Sequence, residues 1–292
     1  MKLSYATAVK LGLKNGKINF EMPTAYIMIG EKCIYNCAFC SQAREATTPK
    51  DHLSRVTWPT FELSQIKEKL KNNSFKRICL QVVSSKGYEI ELKEALEFFK
   101  DIKIPISISI RPKNIEEVKE LFNKYNVDKV GISIDAVNEN LFNKIRNGNY
   151  QRQMSILRDC ANIFLHKITT HVIVGLGETD KDIVKFMLEM KRLNVTTSLF
   201  AFTPIQGTPL ENLSRPSLER YRSIQYVREI INNYEVDITK FDFNPDDSLK
   251  SMPNLYIDKE EAKKTSGCPW CTRPYYNDTP KKVYNIPEVR KI

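Results

Sequence analysis

Six short runs rich in β-branched residues, at 25–29, 77–83, 104–110, 129–134, 168–174 and 196–202, alternate with amphipathic stretches at 61–71, 91–101, 115–125, 139–164 and 180–193. This alternation constrains the fold more than any other feature of the sequence. Parallel neighbours cannot be joined by a tight hairpin, so each βα repeat implies a right-handed crossover and a parallel α/β sheet. The run Ile106-Ser-Ile-Ser-Ile110 has a period of 2 and predicts a two-faced strand with small polar residues on its inner face. The stretch 139–164 reads as two helices, and Thr179 with Asp182 as a cap and its N3 partner. A helix at 217–233 and a candidate strand at 237–243 follow. From about residue 245 the periodicity gives way to a polar, Pro- and Tyr-rich extension.

Three cysteines follow the first strand run in the segment Cys33-Ile-Tyr-Asn-Cys37-Ala-Phe39-Cys40. Three thiolates so close on one loop can hold three irons of a cubane and leave the fourth iron without a protein ligand. A structural zinc site is the main alternative, but zinc takes four ligands, and no fourth Cys or His stands near this loop. A disulfide staple suits small secreted chains. This chain has 292 residues, 41% of them apolar, enough for one large domain with a full core.

The start Met1-Lys2-Leu3-Ser4 carries no signal-peptide pattern, and no apolar run approaches the roughly 20 residues that span a bilayer. The expected location is therefore cytoplasmic, with no membrane partner. Seven cysteines in such a chain point to a reducing compartment and metal chemistry. The net charge of +10 is spread over Lys-rich helices rather than gathered in one arm, which fits either a solvated surface or an acidic partner and gives no specific reason to expect nucleic acid.

The cysteine spacing, with Phe39 before the last cysteine, resembles the cluster loop of the radical S-adenosylmethionine (SAM) superfamily. That resemblance implies a partial (β/α)6 barrel of TIM type over residues 1–244. It also implies SAM chelated to the open iron of a 4Fe–4S cluster, and cleavage to a 5′-deoxyadenosyl radical. Further segments resemble biotin synthase in the same order: Arg77-Ile-Cys79-Leu-Gln, Ile134-Asp135, Tyr150-Gln-Arg152, Ile173-Val-Gly-Leu-Gly-Glu178 and Phe202-Thr-Pro-Ile-Gln-Gly-Thr-Pro-Leu210, with Gln42 after the last loop cysteine.

Carried over by that resemblance, Ser133 and Asp135 would face the SAM ribose, Arg152 its methionine carboxylate, and Ile173 its adenine. Each has a plainer reading. Asp135 could cap the following helix, Arg152 could be a surface cation, and Gly175 and Gly177 could be turn formers. The superfamily's common Gly-Gly-Glu after the second strand is replaced here by Val83-Ser84-Ser85-Lys86.

Of the cysteines that hold the second cluster of biotin synthase, only Cys79 stands at a matching position; Thr169 replaces another. The extension, 245–292, offers Cys268 and Cys271 within Gly267-Cys-Pro269-Trp-Cys-Thr-Arg273-Pro-Tyr-Tyr-Asn277. If it closes the barrel mouth, Cys79, Cys268 and Cys271 make three ligands of a second, auxiliary 4Fe–4S cluster, with Ser266, Arg273 or no protein group as the fourth. Half of a zinc site or a redox dithiol are the alternatives for this Cys-x-x-Cys. Cys160 reads as a small buried apolar residue, and His52, His166 and His171 as structural.

A biotin-synthase-like barrel with this tail resembles one component of the two-protein lipoyl synthase. The resemblance implies a sulfurtransferase that inserts sulfur into an unactivated C–H bond of a protein-bound octanoyl chain. Its partners would be an octanoylated lipoyl carrier (glycine-cleavage H protein or an E2 lipoyl domain), a homologous second component, and a ferredoxin or flavodoxin as electron donor. Sulfur insertion into dethiobiotin and a non-enzymatic metal-binding role remain the alternatives.

Overall fold

The computed structural model describes residues 1–273 and 282–289. One seven-stranded sheet organises it: β1 (Lys2–Leu3), β2 (Thr24–Ile29), β3 (Arg77–Val82), β4 (Ile106–Ile110), β5 (Val127–Ile132), β6 (Ile168–Val174) and β7 (Thr196–Ala201), paired in that order. The pair β1–β2 is antiparallel and every later pair is parallel, so six strands run the same way, as the βα alternation requires. Among the described residues β1 and β7 do not pair, which leaves the barrel partial. The two-residue β1 and the helix Tyr5–Lys10 that follows it are too short to carry a periodic signal.

The outer face of the sheet and the inner stripes of the helices make one continuous apolar core. In β4, Ile106, Ile108 and Ile110 point into that core, while Ser107 and Ser109 face the barrel interior, as the period-2 pattern predicts. The interior has its own small apolar cluster around Tyr26, Met28, Trp58 and Val83. Thr179 and Asp182 form a complete capping box on the helix Asp180–Arg192.

The stretch 139–164 does divide. A short turn, Glu139–Leu141, runs into the π-helical segment Phe142–Arg146, and after Asn147 (φ 56°) and Gly148 the helix Tyr150–Ile163 begins. Gly148 leaves room there for Arg111, whose Nη2 would stand 1.9 Å from a Cβ at that position and would have to move aside for one. Residues 237–243 form a single 3-10 turn, Ile238–Lys240, and a two-residue strand, Asp242–Phe243, paired with Leu249–Ser251.

Among the described residues, the cysteine-bearing part of the extension does not lie across the barrel mouth: residues 268–273 pass beneath the sheet, at the N-terminal ends of the strands, the end opposite the Cys33 loop. The Thr24 hydroxyl donates to the Trp270 carbonyl (2.7 Å), Arg77 Nε donates to the Pro269 carbonyl (3.0 Å), and the Tyr26 hydroxyl accepts the backbone N–H groups of Thr272 (2.9 Å) and Arg273 (2.8 Å). These partners all stand in the first half of β2 and β3, so the barrel's own polar groups fix the side the extension takes. Residues 282–289 are held against the helix Leu218–Asn233 by Arg222 and the fully buried Gln225, which both donate to the Tyr284 carbonyl. Residues 274–277, the end of the tail motif, lie outside the described residues.

Candidate functional site

The Cys33 loop leaves β2 through Gly30 and is braced by Gln42. Gln42 accepts from Lys32 N (3.2 Å) through its side chain and from Cys33 N (2.7 Å) through its carbonyl, and its Nε2 donates to the Lys50 and His52 carbonyls at 3.0 and 2.5 Å. Cys33, Cys37, Phe39 and Cys40 all line a cavity of about 220 Å³ at the C-terminal ends of the strands. This is where barrels of this type carry their reactive groups. Burial lifts the Cys33 thiol and pushes that of Cys40 up to about 12, so a thiolate there needs a cation to stabilise it.

Ser133, Asp135 and Ile173 line the same cavity. Asp135 caps no helix; that task falls to Asn138, which accepts from Leu141 N. Asp135 instead takes a left-handed conformation (φ 63°) and continues the β5 edge beside β6, accepting from Ile173 N and donating to the His171 carbonyl. Its carboxylate lies 2.8 Å from Nε of Arg146, and burial raises its pKa despite that cation.

Arg152 stands elsewhere. It is exposed in the first turn of the helix Tyr150–Ile163, its Nη2 donates to the Lys113 carbonyl (2.9 Å), and it does not line the cavity. The fold reason is the π-helical segment, which brings Arg146 inward and leaves Arg152 outside. The cations that do line the cavity are Arg146 and Arg111. Arg111 follows directly after β4, stacks on Tyr35 at 3.7 Å and donates to the Arg146 and Asn147 carbonyls. Its place just past a strand's C-terminal end was the available sequence signal; for Arg146 there was none.

A second, smaller cavity lies below the first and shares Gln81, Ser109, His171 and Phe200 with it. Cys79, Cys268 and Cys271 come together in its lining, with Tyr26, Ser107 and Arg273. Cys79 lies in register with Tyr26 and Ser107 on neighbouring strands, which sets all three on the interior face. Cys268 and Cys271 are joined by a tight turn, Cys271 N donating to the Cys268 carbonyl at 3.0 Å. Gly267 is needed beside them: it has φ 141°, and a Cβ there would stand 2.8 Å from Ser198 Oγ. Of the sequence candidates for a fourth ligand, Ser266 is engaged by Leu199 N (3.0 Å).

Arg273 stacks on Phe200 at 3.7 Å and donates to the Ser266 carbonyl through Nη2, while its buried Nε and Nη1 have no hydrogen-bond partner among the described residues. Unfilled guanidinium donors beside three thiols suit an anionic, sulfide-bearing group. The free space of the second cavity is about 40 Å³, and Gln81 lines it with its Nε2 donating to Cys79 Sγ at 3.0 Å. Among the described residues, no three His, Cys, Asp or Glu side chains converge on a single ion position. A cubane makes no such demand, since each cysteine binds a different iron.

Cys160 is buried in the apolar core, as expected. His171, read from the sequence as structural, lies between the two cavities, its Nδ1 3.0 Å from Ser133 Oγ. No helix of the described residues is long and apolar enough to cross a membrane.

Residues 27–190 match the Radical SAM superfamily. The chain belongs to it. Membership implies a 4Fe–4S cluster and SAM, and the Cys33 loop with the cavity beside it has the donors for both. Among the relatives of this radical SAM chain, a biotin synthase of Persephonella marina is 24% identical over 68% of this chain and 60% of its own length. Another, from Brachyspira hyodysenteriae, is 23% identical over 73% of this chain and 64% of its own. An uncharacterized protein of Methanocaldococcus jannaschii is 25% identical over 71% of this chain and 55% of that protein. The chain thus spans 55–64% of the length of these relatives, less than two thirds. Methylornithine synthase has a similar fold, with a TM-score of 0.54 at 16% identity, covering 73% of this chain and 64% of that one.

Proposed function

We propose that this protein is a radical SAM sulfurtransferase of the two-protein lipoyl synthase type, acting in the cytoplasm on an octanoyl chain carried by a lipoyl domain. The observation that carries the reading is the meeting of Cys79 from β3 with Cys268 and Cys271 from the extension in a cavity beneath the SAM-side one. Cys33, Cys37 and Cys40 would hold the cluster that supplies the electron for SAM cleavage; Cys79, Cys268 and Cys271 would hold a second 4Fe–4S cluster that supplies sulfur.

The chain's own groups then have definite tasks. Ser133, Asp135 and Ile173 orient SAM at the strand ends. Arg146 pairs with Asp135 and donates to Cys37 Sγ at 3.1 Å. Ile173 and Phe200 keep water from the space between the cavities, and Arg273 compensates negative charge at the lower site. Exposed basic residues near the mouth, among them Arg44, Lys86 and Arg152, offer a landing surface for an acidic carrier. A homologous partner chain and a ferredoxin- or flavodoxin-type reductant complete the system.

Biotin synthases among the relatives favour a second reading, sulfur insertion into dethiobiotin. The deciding assay offers an octanoylated lipoyl-domain peptide and dethiobiotin under reducing, anaerobic conditions, with and without a homologous partner, and scores added sulfur by mass. Lipoyl synthesis requires sulfur on the peptide; sulfur on dethiobiotin alone rejects it. In the same assay Cys33→Ala is expected to abolish 5′-deoxyadenosine formation. Cys271→Ala should keep that product but halt sulfur transfer, and loss of both functions in folded Cys271→Ala refutes the division of labour.

A further inference from the structure

The barrel has two ends with different contents. The upper and lower cavities share the lining residues Gln81, Ser109, His171 and Phe200. On the function proposed above, SAM and substrate would meet at the upper end, and a substrate chain reaching toward the lower site would fill this neck and obstruct access to the auxiliary site from above.

A third cavity opens beneath the lower one. Its lining among the described residues is Lys129, Thr196, Thr265, Gly267 and the run Cys268, Pro269, Trp270 and Cys271. Cys268 and Cys271 line both the inner and this outer cavity, so the two cysteines form the wall between the auxiliary site and the base of the protein. Both are partly exposed, and Thr196 at the rim is exposed. Lys129 brings a positive charge to the same cavity, its Nζ using one donor on the His166 carbonyl. Asp128, the nearest acid along the strand, is tied to Arg77 at 2.5 Å and so is offset. The field at the base therefore favours a small anion.

We propose that this outer cavity is the port through which hydrosulfide reaches the Cys79, Cys268 and Cys271 site, so that the site's sulfur is restocked from the end of the barrel opposite the one used by SAM and substrate. The inference rests on the sulfur-donating role given to that site above. The port carries no chemistry of its own: it admits small solutes past Lys129 and Thr196 to the back of the Cys268–Cys271 turn. It also explains why the extension approaches from below. A loop laid across the mouth would have put supply and substrate on one route.

The test follows uptake of isotopic sulfide. Anaerobic holoenzyme is given sodium [34S]sulfide and ferrous ion, with the mouth either free or closed by a non-cleavable SAM analogue and an octanoylated peptide. The 34S content of acid-labile sulfide is read against a Cys268→Ala/Cys271→Ala baseline, which removes the contribution of the Cys33 cluster. Wild-type uptake at the lower site is expected to stay within about twofold whether the mouth is open or closed. Thr196→Trp, which fills the port, is expected to slow it at least tenfold, and Lys129→Glu severalfold. Both variants should leave 5′-deoxyadenosine formation and the first sulfur transfer unchanged. Uptake that stops when the mouth is closed, or that proceeds at the wild-type rate in folded Thr196→Trp and Lys129→Glu, overturns the port. Acid-labile sulfide that the Cys268→Ala/Cys271→Ala protein matches in full refutes the second cluster itself, a result distinct from failure of the port.

Discussion

Arg146 and Asp135 form an ion pair inside the SAM-side cavity, Nε to Oδ2 2.8 Å, with side-chain exposures of only 11% and 10%. Burial lowers the affinity of the Arg146 guanidinium for its proton, but Asp135 and Cys37 more than reverse this and raise its pKa. Removing the cation alone strands a buried carboxylate, a loss worth about 3–5 kcal/mol. Arg146→Met is expected to destabilise the protein by that order in urea titrations, and Asp135→Asn on the same background to restore a large part of it. A double variant no more stable than Arg146→Met shows that the two residues are not coupled.

The junction between extension and barrel turns on one hydroxyl. Tyr26 Oη accepts the N–H groups of both Thr272 and Arg273, and burial, with Cys271 and Cys79 nearby, raises the pKa of the phenol well above its ordinary value. Tyr26→Phe keeps the ring and leaves two buried backbone donors unpaired, at about 1–3 kcal/mol each. The extension, not the barrel, is expected to loosen. Limited proteolysis should cut near residue 273 at least tenfold faster than in wild type, while SAM affinity stays unchanged. An unaltered cleavage rate argues against Tyr26 as the anchor.

Binding of SAM separates the arginines. Arg152 is exposed and bonded to the Lys113 carbonyl, whereas Arg111 lines the cavity and stacks on Tyr35. Arg152→Ala is expected to keep the SAM Kd within about twofold. Arg111→Met should weaken it about tenfold or more, since a lost charge-assisted contact is worth about 1.5–3 kcal/mol and 1.4 kcal/mol is a factor of ten. Isothermal titration with SAM checks both, and the reverse order restores Arg152 to the cavity.

Particular residues mark how far the sequence could be read. The strands and most helices followed from periodicity, because each buries one face against the other. That Cys33, Cys37 and Cys40 share one cavity was legible because they stand on one short loop, and that Cys79, Cys268 and Cys271 come together was legible through the resemblance, in which the tail supplied cysteines the barrel lacked. Arg146 was not: its inward turn depends on a π-helical segment that no periodic pattern announces. The side of the barrel taken by the extension was equally hidden, since it is set by Thr24, Tyr26 and Arg77 acting through long-range hydrogen bonds on a segment without period of its own. His171 lay on a plainly read strand, but its place at the neck depends on the neighbouring strands' register.

That histidine also predicts a pH dependence. Burial, with Arg273 and Arg146 adding to it, pulls the His171 pKa down to about 3, against about 6.5 in an unfolded chain. Between those values the unfolded state holds a proton that the folded state does not. The folded state is therefore favoured above pH 6.5 and loses that stability as pH falls toward 3, by about 1.4 kcal/mol per pH unit. From pH 7 to pH 5 the loss is about 2 kcal/mol. His171→Gln removes the titrating group, so anaerobic urea midpoints of the variant should fall less over that interval, by the same 2 kcal/mol. Wild-type and His171→Gln curves that run parallel between pH 7 and 5 mean that the imidazole titrates alike in both states and that the neck between the two cavities is open to water.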